Sequence, residues 1–159
     1  MVIEEYSGTQ YRDITELIVN IQRQEFGLDI TAEEQPDLSD IKGFYQVDDG
    51  NFWVASIDDE VVGTVALLDV GRSNAALRKM FVKKEYRGQE RGIAKALLNI
   101  AVSWADDKGF KNIHLGTVST FYAAQRFYEK NGFQRIEKQD LPREMPLVKV
   151  DDVFYGRRL

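Results

Sequence analysis

The residues best suited to chemistry in this chain lie together between Arg78 and Lys95. Seven of them are basic (Arg78, Lys79, Lys83, Lys84, Arg87, Arg91 and Lys95) against the acids Glu85 and Glu90, in a protein whose formal net charge is −5. A basic island in an acidic chain points to a local polyanionic ligand rather than to a nucleic-acid tract. Within it, Met80-Phe81-Val82 reads as the end of a strand, Arg87-Gly88-Gln89-Glu90-Arg91-Gly92 as a turn, and Ile93-Ala94-Lys95 as the opening of an amphipathic helix. The first N–H groups of a helix are unpaired and carry partial positive charge, so such a turn can bind a pyrophosphate. Gly92 is the residue on which this depends. Without a Cβ it permits φ > 0 and lets an anion approach the backbone. The spacing is neither that of a P-loop, which closes on Gly-Lys-Ser/Thr, nor that of the G-x-G-x-x-G dinucleotide turn.

The elements that must position this turn can be read from length, composition and periodicity. A chain of 159 residues with 43% hydrophobic residues predicts one domain over residues 1–159 with a substantial core. With no Cys and a single His, disulfides, thiolate nucleophiles and Cys- or His-rich metal sites are excluded, and no metal is expected. No apolar run approaches the ~18 to 20 residues of a membrane span, and Met1 to Glu5 lacks the basic and apolar regions of a signal peptide, so a soluble, cytoplasmic protein is expected. Ile14, Leu17, Ile18 and Ile21 predict a first helix capped at Thr9 or Asp13 and ended by Gly27. The acidic segment Leu28 to Gly43, with a short helix over Asp37 to Ile41, is read as substrate-facing. Strands are predicted at Asn51 to Ile57 and Glu60 to Asp69, joined by Asp58-Asp59, and at Ala75 to Val82, Lys111 to Val118, Phe133 to Glu137 and Val153 to Arg158. Further helices are predicted from Gly92 to Lys108 and from Thr120 to Lys130. A helix between the strands ending at Val82 and starting at Lys111 makes those two parallel neighbours. The fold class is therefore α/β: a mixed, largely antiparallel sheet with a central parallel strand pair and flanking helices.

Two motifs carry a resemblance to a known family. Gln89-x-x-Gly92-x-Ala94 stands at a strand-to-helix junction, and Ala124-x-x-x-Tyr128-x-x-x-Gly132-Phe133 stands in and after the later helix. Together they resemble the GCN5-related N-acetyltransferase (GNAT) family, most clearly over residues 45–137. The resemblance implies a GNAT-like acyl-CoA N-acyltransferase domain that transfers acetyl from acetyl-CoA to a primary amine, of a small molecule or of a peptide or protein, by direct attack in a ternary complex. The alternative is a non-catalytic acyl-CoA-binding sensor or interaction module. Carried over by position, it implies cofactor binding by Met80, Phe81 and Val82, from a strand splayed at a bulge, and by Arg87, Gly88, Gln89, Arg91, Gly92, Ile93, Ala94 and Lys95 at the turn. It implies Tyr128 as the catalytic acid that protonates the departing CoA thiolate, since a phenol titrates near the leaving thiol. Two departures stand out: the Arg87 to Gly92 tract is long for the family, and Phe121 occupies a position where the family often has Asn. An ammonium acceptor also needs a base, for which His114 and Glu25 are the candidates. No nucleic acid or membrane partner is expected, and the closing strands are where a homodimer would form.

Overall fold

Near-continuous apolar runs through the middle of the chain build the sheet, whose central strands are buried on both faces. The computed structural model describes all residues, 1–159. Its strands are β1 (Val2–Glu5), β2 (Asn51–Ile57), β3 (Glu60–Gly71), β4 (Asn74–Val82), β5 (Asn112–Thr117), β6 (Gln134–Ile136) and β7 (Val153–Arg158). Its helices are α1 (Tyr11–Gln24), α2 (Pro36–Ser39), α3 (Ile41–Tyr45), α4 (Ile93–Asp107) and α5 (Tyr122–Lys130). One seven-stranded sheet runs in the order β1-β2-β3-β4-β5-β7-β6, antiparallel throughout except for the β4–β5 pair, which is parallel as predicted. The hairpins β2–β3 and β3–β4 turn on Asp58-Asp59 (φ 50° and 65°) and Arg72-Ser73 (φ 55° and 63°). Both residues of each pair are left-handed, as two-residue hairpins matching the strand twist require.

The pleat divides the core between the two faces. Trp53, Ala55, Val65 and Leu67 pack toward Ile93, Leu97, Leu98 and Ala101 of α4, while Phe52, Val54 and Ala66 pack toward Ile14 and Ile18 of α1 and toward Leu38, Ile41 and Tyr45. Each large side chain fully buried this way stabilises the fold by about 1.5 to 3 kcal/mol before its lost entropy is counted. Helix α4 thus holds its first turn against the centre of the sheet, and α1 to α3 cover the opposite face.

Three expectations need correction. Strand β1 was not anticipated: Val2–Glu5 pairs with β2 at the sheet edge, mostly exposed, so it lacks the buried alternation that marks a strand. The short helix expected over Asp37 to Ile41 is two helices divided at Asp40, whose side chain leaves the first and accepts the Gly43 N–H at 3.0 Å to cap the second. Neither Thr9 nor Asp13 caps α1; Gln10 stands there without a side-chain cap bond.

Candidate functional site

Strands β4 and β5 face each other only from Asn74 to Ala76 against Asn112 to His114. Beyond those residues β4 runs on beside β3 while β5 continues beside β7, so the sheet opens into a V between Leu77–Val82 and Leu115–Thr117. The divergence has a local cause in a β-bulge at Lys79, which has φ 50° and interrupts the pairing between Thr64 and Ala66. Thr64 holds the bulge by donating its hydroxyl to the Lys79 carbonyl at 2.7 Å. The bulge also shifts the side-chain alternation: Leu77, Met80 and Val82 pack on the α4 side, whereas Arg78 and Lys79 both face Asp37 of α2 on the other.

Asp37 is buried among cations. Lys79 Nζ lies 3.1 Å and an Arg78 nitrogen 3.7 Å from its Oδ2, and the Tyr45 hydroxyl donates to the same oxygen at 2.6 Å. Burial opposes ionisation of Asp37, but Lys79, the Tyr45 hydroxyl and Arg78 outweigh it and hold the carboxyl below its ordinary range. Gln35 accepts from Lys79 at 3.1 Å and is itself paired with Gln22, which ties the bulge to α1.

At the other end of β4 the turn has the form expected of an anion cradle. Gly92 caps α4 in the left-handed conformation, φ 66°. The N–H groups of Gln89, Glu90, Ile93, Ala94 and Lys95 have no acceptor in the chain, whereas those of Arg91 and Gly92 donate to the Gly88 carbonyl at 3.2 and 3.3 Å. The extra length of the tract is taken up by that inner turn, leaving free amides on both sides of it. A Cβ at Gly92 would touch nothing closer than 3.9 Å, so the glycine is required there by its φ and not by crowding from the chain.

The basic island, by contrast, divides. Arg87 forms a two-pronged pair with Glu25 at 2.7 and 2.8 Å and donates to the Val82 carbonyl at 2.8 Å; Lys83 pairs with Glu60 at 2.7 Å. Arg91 lies over the Tyr86 ring and Lys95 reaches Asn131, so these two keep their charge beside the free amides with no carboxylate partner. The geometry gives Arg87 a partner in Glu25, so the phosphate-binding role read for the one and the base role read for the other each require this partly exposed pair to open.

Near the V the structure brings together Tyr128, Phe121 and a residue not singled out in the sequence, Asp151. Tyr128 is packed among Phe127, Phe133 and Tyr155, and its hydroxyl makes no hydrogen bond within the chain although it is not sealed from solvent. Burial, with a smaller contribution from the Asp151 charge, pushes its phenol well above the ordinary value. Phe121 stacks on Phe26 at 4.6 Å, and Phe26 meets Phe81 at 6.2 Å, so an aromatic trio joins the end of α1 to both arms of the V. Asp151, in the loop before β7, lays its carboxylate over Gly116 of β5, where a Cβ would come within 2.6 Å of Oδ2. Burial raises its carboxyl to about 6, against the pull of Arg78 and Lys79. His114 stands one position further back on the same strand face. Burial lowers its imidazole below the ordinary range, and its Nδ1 is sealed with no partner, a poor arrangement for a base that must exchange protons. Only distance in the sequence hid Asp151: nothing in the Pro142 to Asp152 loop marks which acid will fold back onto β5.

A sequence model of the Acetyltransferase (GNAT) domain matches residues 48–135. N-acetyltransferase family 8 member 2 of Rattus norvegicus is 41% identical over 106 residues, 64% of this chain and 46% of the relative. The chain thus spans about half the length of the curated relatives it matches. An acetyltransferase of the GNAT family from Staphylococcus aureus Mu50 superposes with a TM-score of 0.92 at 37% identity, covering 99% of this chain and 98% of that one. The PaiA N-acetyltransferase of Thermoplasma acidophilum, solved in complex with coenzyme A, has the same fold: TM-score 0.74 at 19% identity with full coverage of both chains. No helix is long and apolar enough to cross a membrane.

Proposed function

This chain belongs to the GNAT acetyltransferases, and from that premise we propose that it transfers acetyl from acetyl-CoA to a primary amine by direct attack in a ternary complex. The observation that carries this reading is the alignment of two openings: the free amides around Gly92 at the head of α4, and the V between β4 and β5 that leads from them toward Tyr128. A pyrophosphate on the amides of Gln89, Glu90, Ile93, Ala94 and Lys95, with Arg91 and Lys95 adding charge, leaves the pantetheine arm to run along Met80 to Val82 as an extra strand against the open edge of β4.

The chemistry follows from the groups at the V. Asp151 takes a proton from the acceptor ammonium, and the amine nitrogen attacks the thioester carbonyl carbon. The new N–C bond forms, the C–S bond breaks, and free backbone N–H groups on β4 stabilise the tetrahedral oxyanion between these events, at about 3 to 4 kcal/mol per well-aimed donor. The departing thiolate takes its proton from Tyr128, and the phenolate so formed recovers one from the acetylated nitrogen, which must shed its second proton to become the amide. The two titrating groups are coupled, because the Asp151 charge helps to keep Tyr128 protonated. Once Asp151 has accepted the amine's proton that charge is gone, and Tyr128 becomes a better acid at the moment the thiolate appears. Replacing Tyr128 by Phe tests the assignment. Turnover should fall about 100-fold or more while acetyl-CoA binding, followed calorimetrically, stays unchanged. Turnover at the unmodified rate would remove Tyr128 from the reaction. Binding of acetyl-CoA by the unmodified protein with no turnover for any amine would favour an acyl-CoA sensor.

A further inference from the structure

On the acceptor side of the site, Arg78 is the cation whose donors make no hydrogen bond within the chain. Its side chain is 15% exposed, yet its guanidinium makes no hydrogen bond within the chain: Asp37 is 3.7 Å away, and the ring of Phe44 holds the group at 5.6 Å. None of its nitrogens is sealed from solvent, so its donors stay accessible to water or to a ligand. Asp37 does not depend on it for hydrogen bonds. Asp37 already receives Tyr45 and Lys79, and Lys79 is shared between Asp37 and Gln35. A largely buried guanidinium whose donors meet only water can exchange that water for the acceptors of a ligand.

The second observation is Asp151. Its carboxylate also makes no hydrogen bond within the chain, it lies over Gly116, and it shares a field with Arg78 and Lys79. The acceptor face therefore holds two cations, Arg78 and Lys79, and two carboxylates, Asp37 and Asp151; Arg78 shares charge with Asp37 at 3.7 Å, but neither it nor Asp151 makes a hydrogen bond within the chain. A bare alkylammonium would satisfy Asp151 and leave Arg78 empty. A zwitterion satisfies both and leaves the cleft neutral.

We infer that the acceptor is an amino acid or similar amino carboxylate, its ammonium received by Asp151 and its carboxylate by the fork of Arg78. This assignment rests on the acetyl-transfer reading above and narrows the class of amine. A planar guanidinium binds a carboxylate through two parallel N–H···O bonds, which a neutral amide cannot reproduce.

The test measures CoA release with three matched panels: free L-amino acids, their C-terminal amides, and the corresponding decarboxylated amines. The accepted free amino acid should exceed its amide roughly 10- to 100-fold in kcat/KM, the range of a hydrogen-bonded charge pair. In Arg78→Gln that preference should collapse, mainly through KM, with acetyl-CoA affinity unchanged; Arg78→Lys, which keeps the charge without the fork, should restore part of it and controls for folding. Amides or decarboxylated amines turned over as well as the acids, or a preference that survives Arg78→Gln, would overturn the assignment while leaving acetyl transfer intact. Absence of turnover with all three panels would overturn this assignment; the transfer reading falls with it only if acetyl-CoA binds and peptide N-termini, lysine side chains and polyamines are not acetylated either.

Discussion

Replacing Asp151 by Asn should make the protein more stable and less active at once. The carboxyl is moved from its ordinary 3.8 to about 6, chiefly by burial. Holding it ionised therefore costs about 3 kcal/mol at neutral pH, at 1.36 kcal/mol per tenfold change in ionisation. Asp151 is only half-buried, and screening by the adjoining water brings this to about 1 to 2 kcal/mol. Asn keeps the shape and removes the charge, so its melting temperature at pH 7 should rise by about 2 to 8 °C for a chain of this size. The sign changes with pH in a defined way. A carboxyl whose folded pKa is raised favours folding while it is protonated, and that contribution is lost as pH climbs from about 4 through about 6. The gap between variant and parent should thus widen across that window and stay constant above it. Asp37, whose carboxyl is held low, acts in the opposite sense and is common to both proteins, so it cancels in the difference. Activity should show the complement. The kcat/KM of the parent should rise with pH through an ionisation near 6, and that limb should vanish in the variant along with most of the turnover. Calorimetric melting and CoA-release kinetics from pH 4 to 8 measure both. A variant that melts lower at pH 7, or keeps the limb near 6, would refute the placement of Asp151 as a desolvated base.

Further outcomes follow from other contacts. Asp37→Asn leaves Lys79 buried against a neutral group and should cost about 3 to 5 kcal/mol by denaturant titration. Thr64→Val removes the hydroxyl that holds the Lys79 carbonyl and should cost about 1 kcal/mol while lowering turnover more than acetyl-CoA affinity, since it frees the bulge and leaves the α4 turn untouched. Gly92→Ala meets no clash but must adopt φ 66°, so a loss of about 1 to 2 kcal/mol is expected, with weaker acetyl-CoA binding by calorimetry; unchanged affinity would show that the turn tolerates a Cβ next to the pyrophosphate.

What could be read in advance was what is local. The 3.6-residue spacing of Ile14, Leu17, Ile18 and Ile21 and the β-rich run Asn51 to Ile57 each report their own burial, and the structure places both close to the predicted bounds. The left-handed Gly92 and the parallel β4–β5 pair also follow from a turn and a crossover that neighbouring residues announce. The site's polar half did not, because its partners come from afar. Arg78 and Lys79 look like part of one basic run until the bulge turns both toward Asp37, and Arg87 looks free until α1 brings Glu25 beside it. Asp151 meets Gly116 only through the β5–β7 pairing, 35 residues along the chain.

The short seam between β4 and β5 has a mechanical consequence. Strands β1 to β4 form one plate and β5 to β7 another, joined directly only where Asn74 to Ala76 meets Asn112 to His114. The amides at the head of α4 ride on the first plate, against β3 and β4, while Tyr128 and Asp151 belong to the second. A molecule that spans from those amides to Tyr128 is a rivet across the joint. Hydrogen exchange in β5 and β7 should therefore slow when acetyl-CoA binds, although none of the amides gripping the pyrophosphate lies in either strand.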